Sequence, residues 1–340
     1  MTTLIALSTK DSLVLGCDSL GTATRYLIDP FDLDEFFDPT KDFELKKDKN
    51  GNPVRKDFNT IFRKAKSVPF THMAHMTKLF SLSPLPMGIM CTGITSIGNR
   101  TIKSLIEECK SKEMVFREKP KPKNYTVKGI ANKILTFICR HYENKYPREK
   151  GGPALEFILG GYDKRSPIPK IVRIKLPEKK IEESLKEEEF GIVFGGEMKE
   201  IHRIVYGTDF SNWLKIQERH IELLRKYRDK MNRFLKQKKV SVEIPELAME
   251  HIKELDMFSD KWGLDRFYAN WGDFSEQNAI ECVDFFVNIM IKSQQFSYGM
   301  PTVGGEVHIA LITKTDGFRF ISREEYRHEE HLVPKETKNK

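Results

Sequence analysis

The chain opens with two runs in which apolar and small residues fill almost every position, Thr2 to Ser8 and Ser12 to Asp18, joined through Lys10-Asp11. Such β-branched runs, bounded by a polar turn, predict a β-hairpin. A second strand pair is read at Lys78–Leu82 and Met87–Cys91, separated by the turn at Pro84–Pro86. Between the pairs, Asp29 to Met76 carries Asp-Pro and Asn-Gly-Asn-Pro breakers and reads as an irregular insertion. Apolar residues at three- and four-residue spacing, such as Ile130, Ile134, Phe137 and Ile138, then predict helices over Ile97–Cys109 and Val127–Tyr146. Strands resume at Glu156–Leu159, Lys170–Ile174 and Gly191–Phe194. After Tyr206-Gly207 the pattern changes. From Leu214 to Lys239 a narrow stripe of Leu214, Ile221, Leu224, Met231 and Leu235 runs among 10 Lys/Arg and 3 acids, the pattern of a solvated helix covering its own core. A Phe- and Ile-rich helix over Glu276–Gln295 and strands at Val307–Thr313 and Phe318–Ile321 complete the pattern.

The order is strands, a helix pair, strands, helices, strands. It predicts an α+β fold in which two sheets lie between helical layers, a four-layer αββα sandwich, rather than a βαβ parallel sheet. The 340 residues allow two ordinary domains or one with insertions. Setting aside 29–76 and a helical insertion at 212–273 leaves a core the size of one domain. We therefore read residues 1–322 as a single domain and 323–340 as a charged, disordered tail. A composition of 39% hydrophobic and 31% charged residues excludes wholesale disorder. No run approaches the ~20 apolar residues of a membrane span. The N-terminus lacks the basic start and cleavage site of a signal peptide, so a cytoplasmic location is expected. Five scattered cysteines (Cys17, Cys91, Cys109, Cys139, Cys282), with no CxxC pair, suggest reduced thiols rather than a disulfide framework or a zinc site.

A net charge of +8 raises the question of a nucleic-acid partner. The excess is local, because Asn99 to Lys150 holds 14 Lys/Arg against 6 Glu and the rest of the chain sums to zero. Much of it lies in Arg117–Lys123, a Pro-punctuated connector with no interleaved aromatics, so an assembly or partner surface is the favoured reading and nucleic acid the rival one. Asp48-Lys49-Asn50-Gly51-Asn52 looks like the start of a calcium loop, but Asn59 stands where a bidentate Glu is needed. His72, His75, His328 and His331 have no convincing partner set, and the Gly160-Gly161 and Gly195-Gly196 pairs lack phosphate-loop context. No metal and no cofactor are called for.

The chemistry concentrates at the start of the chain. Initiator Met is usually removed before a residue as small as Thr2, and a free terminal amine, with a pKa near ~8, can act as base for its own hydroxyl. Asp18 ends the second strand, where antiparallel pairing returns it to Thr2. Lys78 begins the next predicted strand, and an ammonium there would favour the ionised hydroxyl. Thr92-Gly93 ends the strand after that, and a glycine lets a backbone N–H approach a developing oxyanion.

These features together resemble the proteasome β-subunit family of N-terminal nucleophile hydrolases, in a bacterial proteasome-related type with two large insertions. The matching text is Thr2-Thr3-Leu4-Ile5-Ala6, Leu13-Val14-Leu15-Gly16-Cys17-Asp18-Ser19 with Thr22, Thr77-Lys78-Leu79-Phe80, and Met87 to Gly93. Leu159-Gly160-Gly161-Tyr162-Asp163, Tyr206-Gly207 and Gly304-Gly305 follow it. The resemblance implies a threonine-type peptidase. Thr2 is then the nucleophile, Asp18 orients Lys78, Lys78 tunes Thr2, and the Gly93 N–H forms the oxyanion hole. Thr22 pairs its backbone with an extended substrate, and Gly21, Met76, Cys91 and Thr95 line an apolar pocket for the residue before the cut. The family's Asp and Ser ahead of the Gly-Gly pair are replaced by Met300 and Val303, and its serine before the Gly-Gly-Tyr-Asp strand by Ala154. Ser297 or Thr302 is the substitute expected for the proton relay. Protein or peptide substrates, a homo-oligomer in a ring or helical array, and an unfoldase or adaptor docking on the insertions are the implied partners. The rival readings are a catalytically silent structural subunit and an amidase acting on a small molecule.

Overall fold

A computed structural model describes residues 2–27, 37–38, 44–45, 66–112, 124–147, 152–185, 189–207, 210–246 and 269–323. Met1, the basic connector Arg117–Lys123, the calcium-loop-like stretch from Asp48 and the tail beyond Arg323 lie outside the described residues.

The chain begins with β1 (Thr3–Ser8), β2 (Ser12–Asp18) and β3 (Gly21–Leu27), followed by two-residue strands β4 (Phe37–Asp38) and β5 (Glu44–Leu45). Then come β6 (Lys66–Met73), β7 (Leu79–Ser81), β8 (Met87–Gly93), β9 (Ser96–Ile97) and β10 (Arg100–Thr101). Helices α1 (Ile102–Lys112) and α2 (Val127–Lys145) lead to β11 (Leu155–Tyr162), β12 (Pro169–Leu176), β13 (Lys180–Glu183) and β14 (Gly191–Gly196). Helices α3 (Lys199–Val205), α4 (Phe210–Gln237) and α5 (Glu276–Phe296) precede β15 (Val307–Thr313) and β16 (Gly317–Ser322). Two five-stranded sheets result, ordered β14-β1-β2-β15-β16 and β13-β12-β11-β8-β7.

Alternation along the strands divides their side chains between two environments. Leu4, Ala6, Leu13 and Leu15 of the first sheet share one core with Met90, Ile158 and Ile171 of the second. On the opposite side of the first sheet, Ile5, Leu7 and Val14 pack with Val283, Phe286 and Val287 of α5. The second sheet directs Ile89, Phe157, Leu159, Val172 and Ile174 toward Leu105 and Ile106 of α1 and Ile134 and Phe137 of α2. Strands buried on both faces read as continuous apolar runs, which is why β1 and β2 stand out in the sequence. The helix starts have local causes as well. Thr126 caps α2 by accepting from Gly129 N at 3.0 Å, and Ser275 caps α5 by accepting from Asn278 N at 3.2 Å.

The structure departs from the sequence reading in three places. The stretch read as irregular up to Met76 ends in a regular strand, because β6 pairs antiparallel with β3. Pro69 sits beside a register shift in this two-stranded ribbon, where a missing N–H is tolerated. The first helix starts at Ile102 rather than Ile97, since β9 and β10 form a small hairpin across Gly98-Asn99. Strand β13 and helix α3 are short, and periodicity gave no sign of them. Among the described residues, no helix is long and apolar enough to cross a membrane.

Candidate functional site

The register of β1 on β2 pairs Leu4 with Cys17 and so brings Thr3 level with Asp18. Asp18 is fully buried and receives four donors. Its Oδ1 accepts from Thr3 N at 3.1 Å and Lys78 Nζ at 2.9 Å, and its Oδ2 from Leu20 N at 3.2 Å and Gly304 N at 3.1 Å. A carboxylate offers about four acceptor positions, so this one is saturated. Lys78 stands just before β7, and its Nζ also donates to the Leu20 carbonyl at 2.6 Å. The pair is a buried salt bridge with side-chain exposures of 7% for Lys78 and 0% for Asp18. A second strand link holds Lys78 against the neighbouring sheet position, where Cys91 N donates to its carbonyl at 3.0 Å.

Thr2 lies one residue before β1 and is buried. Its carbonyl accepts from Glu197 N at 2.7 Å, and the Thr3 hydroxyl donates to the Glu197 carbonyl at 2.8 Å. A side chain at Gly196 would force Thr2 to move, for a Cβ would lie 1.8 Å from the Thr2 carbonyl oxygen, with Thr92 Oγ1 3.2 Å away, and φ is +74°. Thr2 and Thr92 thus flank the same stretch of β14 backbone, which sets the end of β8 beside Thr2. Gly93 has φ +108°, and a Cβ there would meet the Ala154 carbonyl at 2.2 Å. Only glycine allows this crowded, left-handed strand end.

The expected pocket residues are placed differently from one another. Gly21 and Met76 meet directly, with the Met76 Cγ 2.7 Å from where a Gly21 Cβ would stand, and Met76 N donates to the Ser19 carbonyl at 2.8 Å. Thr22 is paired with His72 across the ribbon, and both Thr22 Oγ1 and His72 Nε2 are buried without a hydrogen-bond partner. Cys91 belongs to the core shared with α1 and α2, and burial pushes its thiol up to about 12, against the opposing pull of Lys78. Thr95 is exposed, and its carbonyl accepts from Ile102 N at 3.0 Å at the start of α1. Burial likewise drives the Cys17 thiol far above its ordinary value, so it is no thiolate nucleophile.

The two hydroxyls expected to replace the relay donate to acceptors on α5. Ser297 Oγ donates to the Ser293 carbonyl at 2.7 Å, and Thr302 Oγ1 to Gln294 Oε1 at 3.1 Å. Val303 is 1% exposed and packs into the α5 core. Residues that sequence reasoning missed include Leu20, which serves both members of the ion pair, and Glu197, which clamps Thr2 and Thr3. His308 was missed too: it is buried opposite Cys17, has no partner at Nε2, and burial lowers its pKa despite the pull of Glu306 and Asp18. No local motif marks any of them. Among the described residues, no three of His, Cys, Asp and Glu converge as metal ligands would.

No protein-family model and no curated protein matches the chain. Solved structures similar to it include an Anbu (Gly-1) mutant from Hyphomicrobium sp. strain MC1, at 11% identity and a TM-score of 0.45, covering 95% of this chain and 86% of that one. The helical assembly of the Anbu complex from Pseudomonas aeruginosa is similar at 11% identity and a TM-score of 0.46, with coverage of 95% and 88%. Anbu (ancestral beta-subunit) from Yersinia bercovieri is similar at 10% identity and a TM-score of 0.43, with coverage of 95% and 88%.

Proposed function

We propose that this chain is a proteasome-like, threonine-type peptidase in which Thr2, freed by removal of Met1, is the nucleophile. The observation that carries the reading is the double use of Asp18 Oδ1, which holds both Lys78 Nζ and the N–H of Thr3, the residue adjoining Thr2. One carboxylate oxygen thereby fixes the ammonium relative to the start of the chain. In the proposed reaction the Thr2 hydroxyl attacks the scissile carbonyl while its proton passes through a water to the Thr2 amine. Lys78 lowers the cost of the developing alkoxide, and the Gly93 N–H receives the oxyanion. The amine then protonates the leaving group, and water hydrolyses the acyl ester on Thr2. Thr22 is proposed to pair its backbone with the extended substrate, and Gly21, Met76, Cys91 and Thr95 to receive the residue before the cut, with Met76 and Cys91 favouring an apolar one.

The same reading includes a four-layer αββα stacking of the two sheets and their helices, and a self-associated array that encloses the site. It also includes cytoplasmic action on protein or peptide, with the insertions as docking places for an unfoldase or adaptor. A silent structural subunit is the second reading. It is favoured by the commitment of the Ser297 and Thr302 protons to α5.

Intact-mass measurement of the purified chain, together with hydrolysis of fluorogenic peptides by wild type and Thr2→Ala, separates these readings. A mature N-terminus at Thr2 with activity abolished in the variant is expected. Retained Met1, or equal activity in the two proteins, overturns the peptidase reading.

A further inference from the structure

We infer that Gln294 is a positioning residue for the Asp18–Lys78 pair, acting from helix α5 through the segment Thr302–Gly304. The inference rests on the peptidase reading for its consequence in turnover, but its geometry stands alone. Gln294 Oε1 accepts from Thr302 N at 2.6 Å, Thr302 Oγ1 at 3.1 Å and Val303 N at 2.9 Å. An amide oxygen has two lone pairs, so three converging donors saturate it and fix the side chain.

Its place in the helix explains why it can reach. Gln294 follows Met290 by four residues and so continues the row Ala279, Val283, Phe286, Val287, Met290 that faces the first sheet. Val303, the residue it binds, is buried against that same row. The chain passes from Val303 straight to Gly304. Gly304 N donates to Asp18 Oδ2 at 3.1 Å, and its carbonyl accepts from Ser19 N at 3.2 Å and Leu20 N at 2.8 Å. Leu20 in turn offers its carbonyl to Lys78 Nζ at 2.6 Å.

Hydrogen bonds joined by single steps along the backbone, from Val303 to Gly304 and across Leu20, therefore link α5 to both members of the ion pair. The segment preceding Thr302 supplies little restraint of its own. Phe296, Tyr298 and Met300 are exposed, and Gly299 has φ +108°. Without the Gln294 acceptor, two backbone N–H groups in a largely buried segment lose their partner. Gly304 then loses the support that aims its N–H at Asp18, and misplacement of a catalytic group by about 1 Å costs turnover on the order of 10²-fold.

The test uses full-length Gln294→Leu, which removes the acceptor at similar volume, and Gln294→Glu, which keeps it. In the Leu variant kcat is expected to fall at least roughly tenfold with KM within about twofold, the signature of lost transition-state positioning. Amide exchange at Val303 and Gly304 is expected to accelerate by a similar factor while the amides of Ile5, Ala6 and Leu7, inside β1, stay unchanged. The Glu variant should restore both. If the Leu variant does not fold, Gln294→Asn, one methylene short of its donors, should show the same pattern in weaker form. Wild-type kcat in the Leu or Asn variant, a change confined to KM, or a Glu variant as impaired as Leu overturns the inference. If wild type has no Thr2-dependent turnover, the peptidase reading fails and the exchange measurement alone decides. Faster exchange reversed by Glu then supports the positioning role, and unchanged exchange refutes it.

Discussion

Removing either member of the Asp18–Lys78 pair should destabilise the chain, but unequally, and the inequality is a test of the site's electrostatics. In Lys78→Met the Asp18 carboxylate keeps three backbone N–H donors, from Thr3, Leu20 and Gly304. In Asp18→Asn the Lys78 ammonium loses its counter-charge and is left with neutral acceptors alone, and the new amide NH2, whichever oxygen it replaces, points at groups that are themselves donors. Removing one partner of a buried ion pair costs about 3–5 kcal/mol, because the other charge is left uncompensated. For Lys78→Met the remaining donors should hold the cost at or below the lower end of that range. For Asp18→Asn at least one backbone N–H is also left unmatched, adding roughly 1–3 kcal/mol. Urea unfolding of the two single variants should therefore differ by at least about 1–2 kcal/mol, with Asp18→Asn the weaker protein. With about 2–4 °C per kcal/mol for a domain of this class, the gap in Tm should be several degrees. Equal losses, or a larger loss in Lys78→Met, would show that the backbone donors do not compensate the carboxylate as argued.

Gly196→Ala should destabilise by about 1–3 kcal/mol from its left-handed backbone alone, and it should displace Thr2, whose carbonyl oxygen lies 1.8 Å from the new Cβ. Thermal unfolding and peptide hydrolysis should both register the change, and a variant unaffected in both would contradict the crowding at this position. The buried His308 has its pKa lowered from 6.5, so below that pH the unfolded chain binds the proton more readily than the folded one. Its contribution to stability is present above pH 6.5 and is lost as the pH falls toward the lowered value. In unfolding titrations from pH 7.5 to 5, wild type should lose more stability than His308→Gln, and parallel curves would refute this. Cys91, with its thiol pushed up to about 12, should resist alkylation at pH 8 in the folded chain and react only on unfolding, as peptide mapping after iodoacetamide would reveal.

The strands that carry Thr3 and Asp18 are legible because they are buried on both faces and so consist of little but apolar and small residues. The starts of α2 and α5 are legible because Thr126 and Ser275 are caps that act within three residues of themselves. The ribbon of β3 and β6 is not legible, since its two strands are separated by a long stretch of chain and one of them contains Pro69. Neither is the role of Thr302 as a ligand of α5: a hydroxyl near Gly304 reads equally well as facing Thr2 or facing away. Only the reach of Gln294 from the last turn of α5 decides it.

By itself, the amino-acid sequence determined the alternation of strand runs and helix pairs, the local origin of the +8 charge and the types of residue available for chemistry at the chain start. These follow from period, capping and composition, which act over a few residues. Which groups meet was a tertiary decision. Asp18 joins Lys78 across 60 positions, and Gly304 N reaches Asp18 across 286. Contacts of that separation depend on sheet order and register, and those are set by how complementary apolar faces pack together rather than by any local pattern.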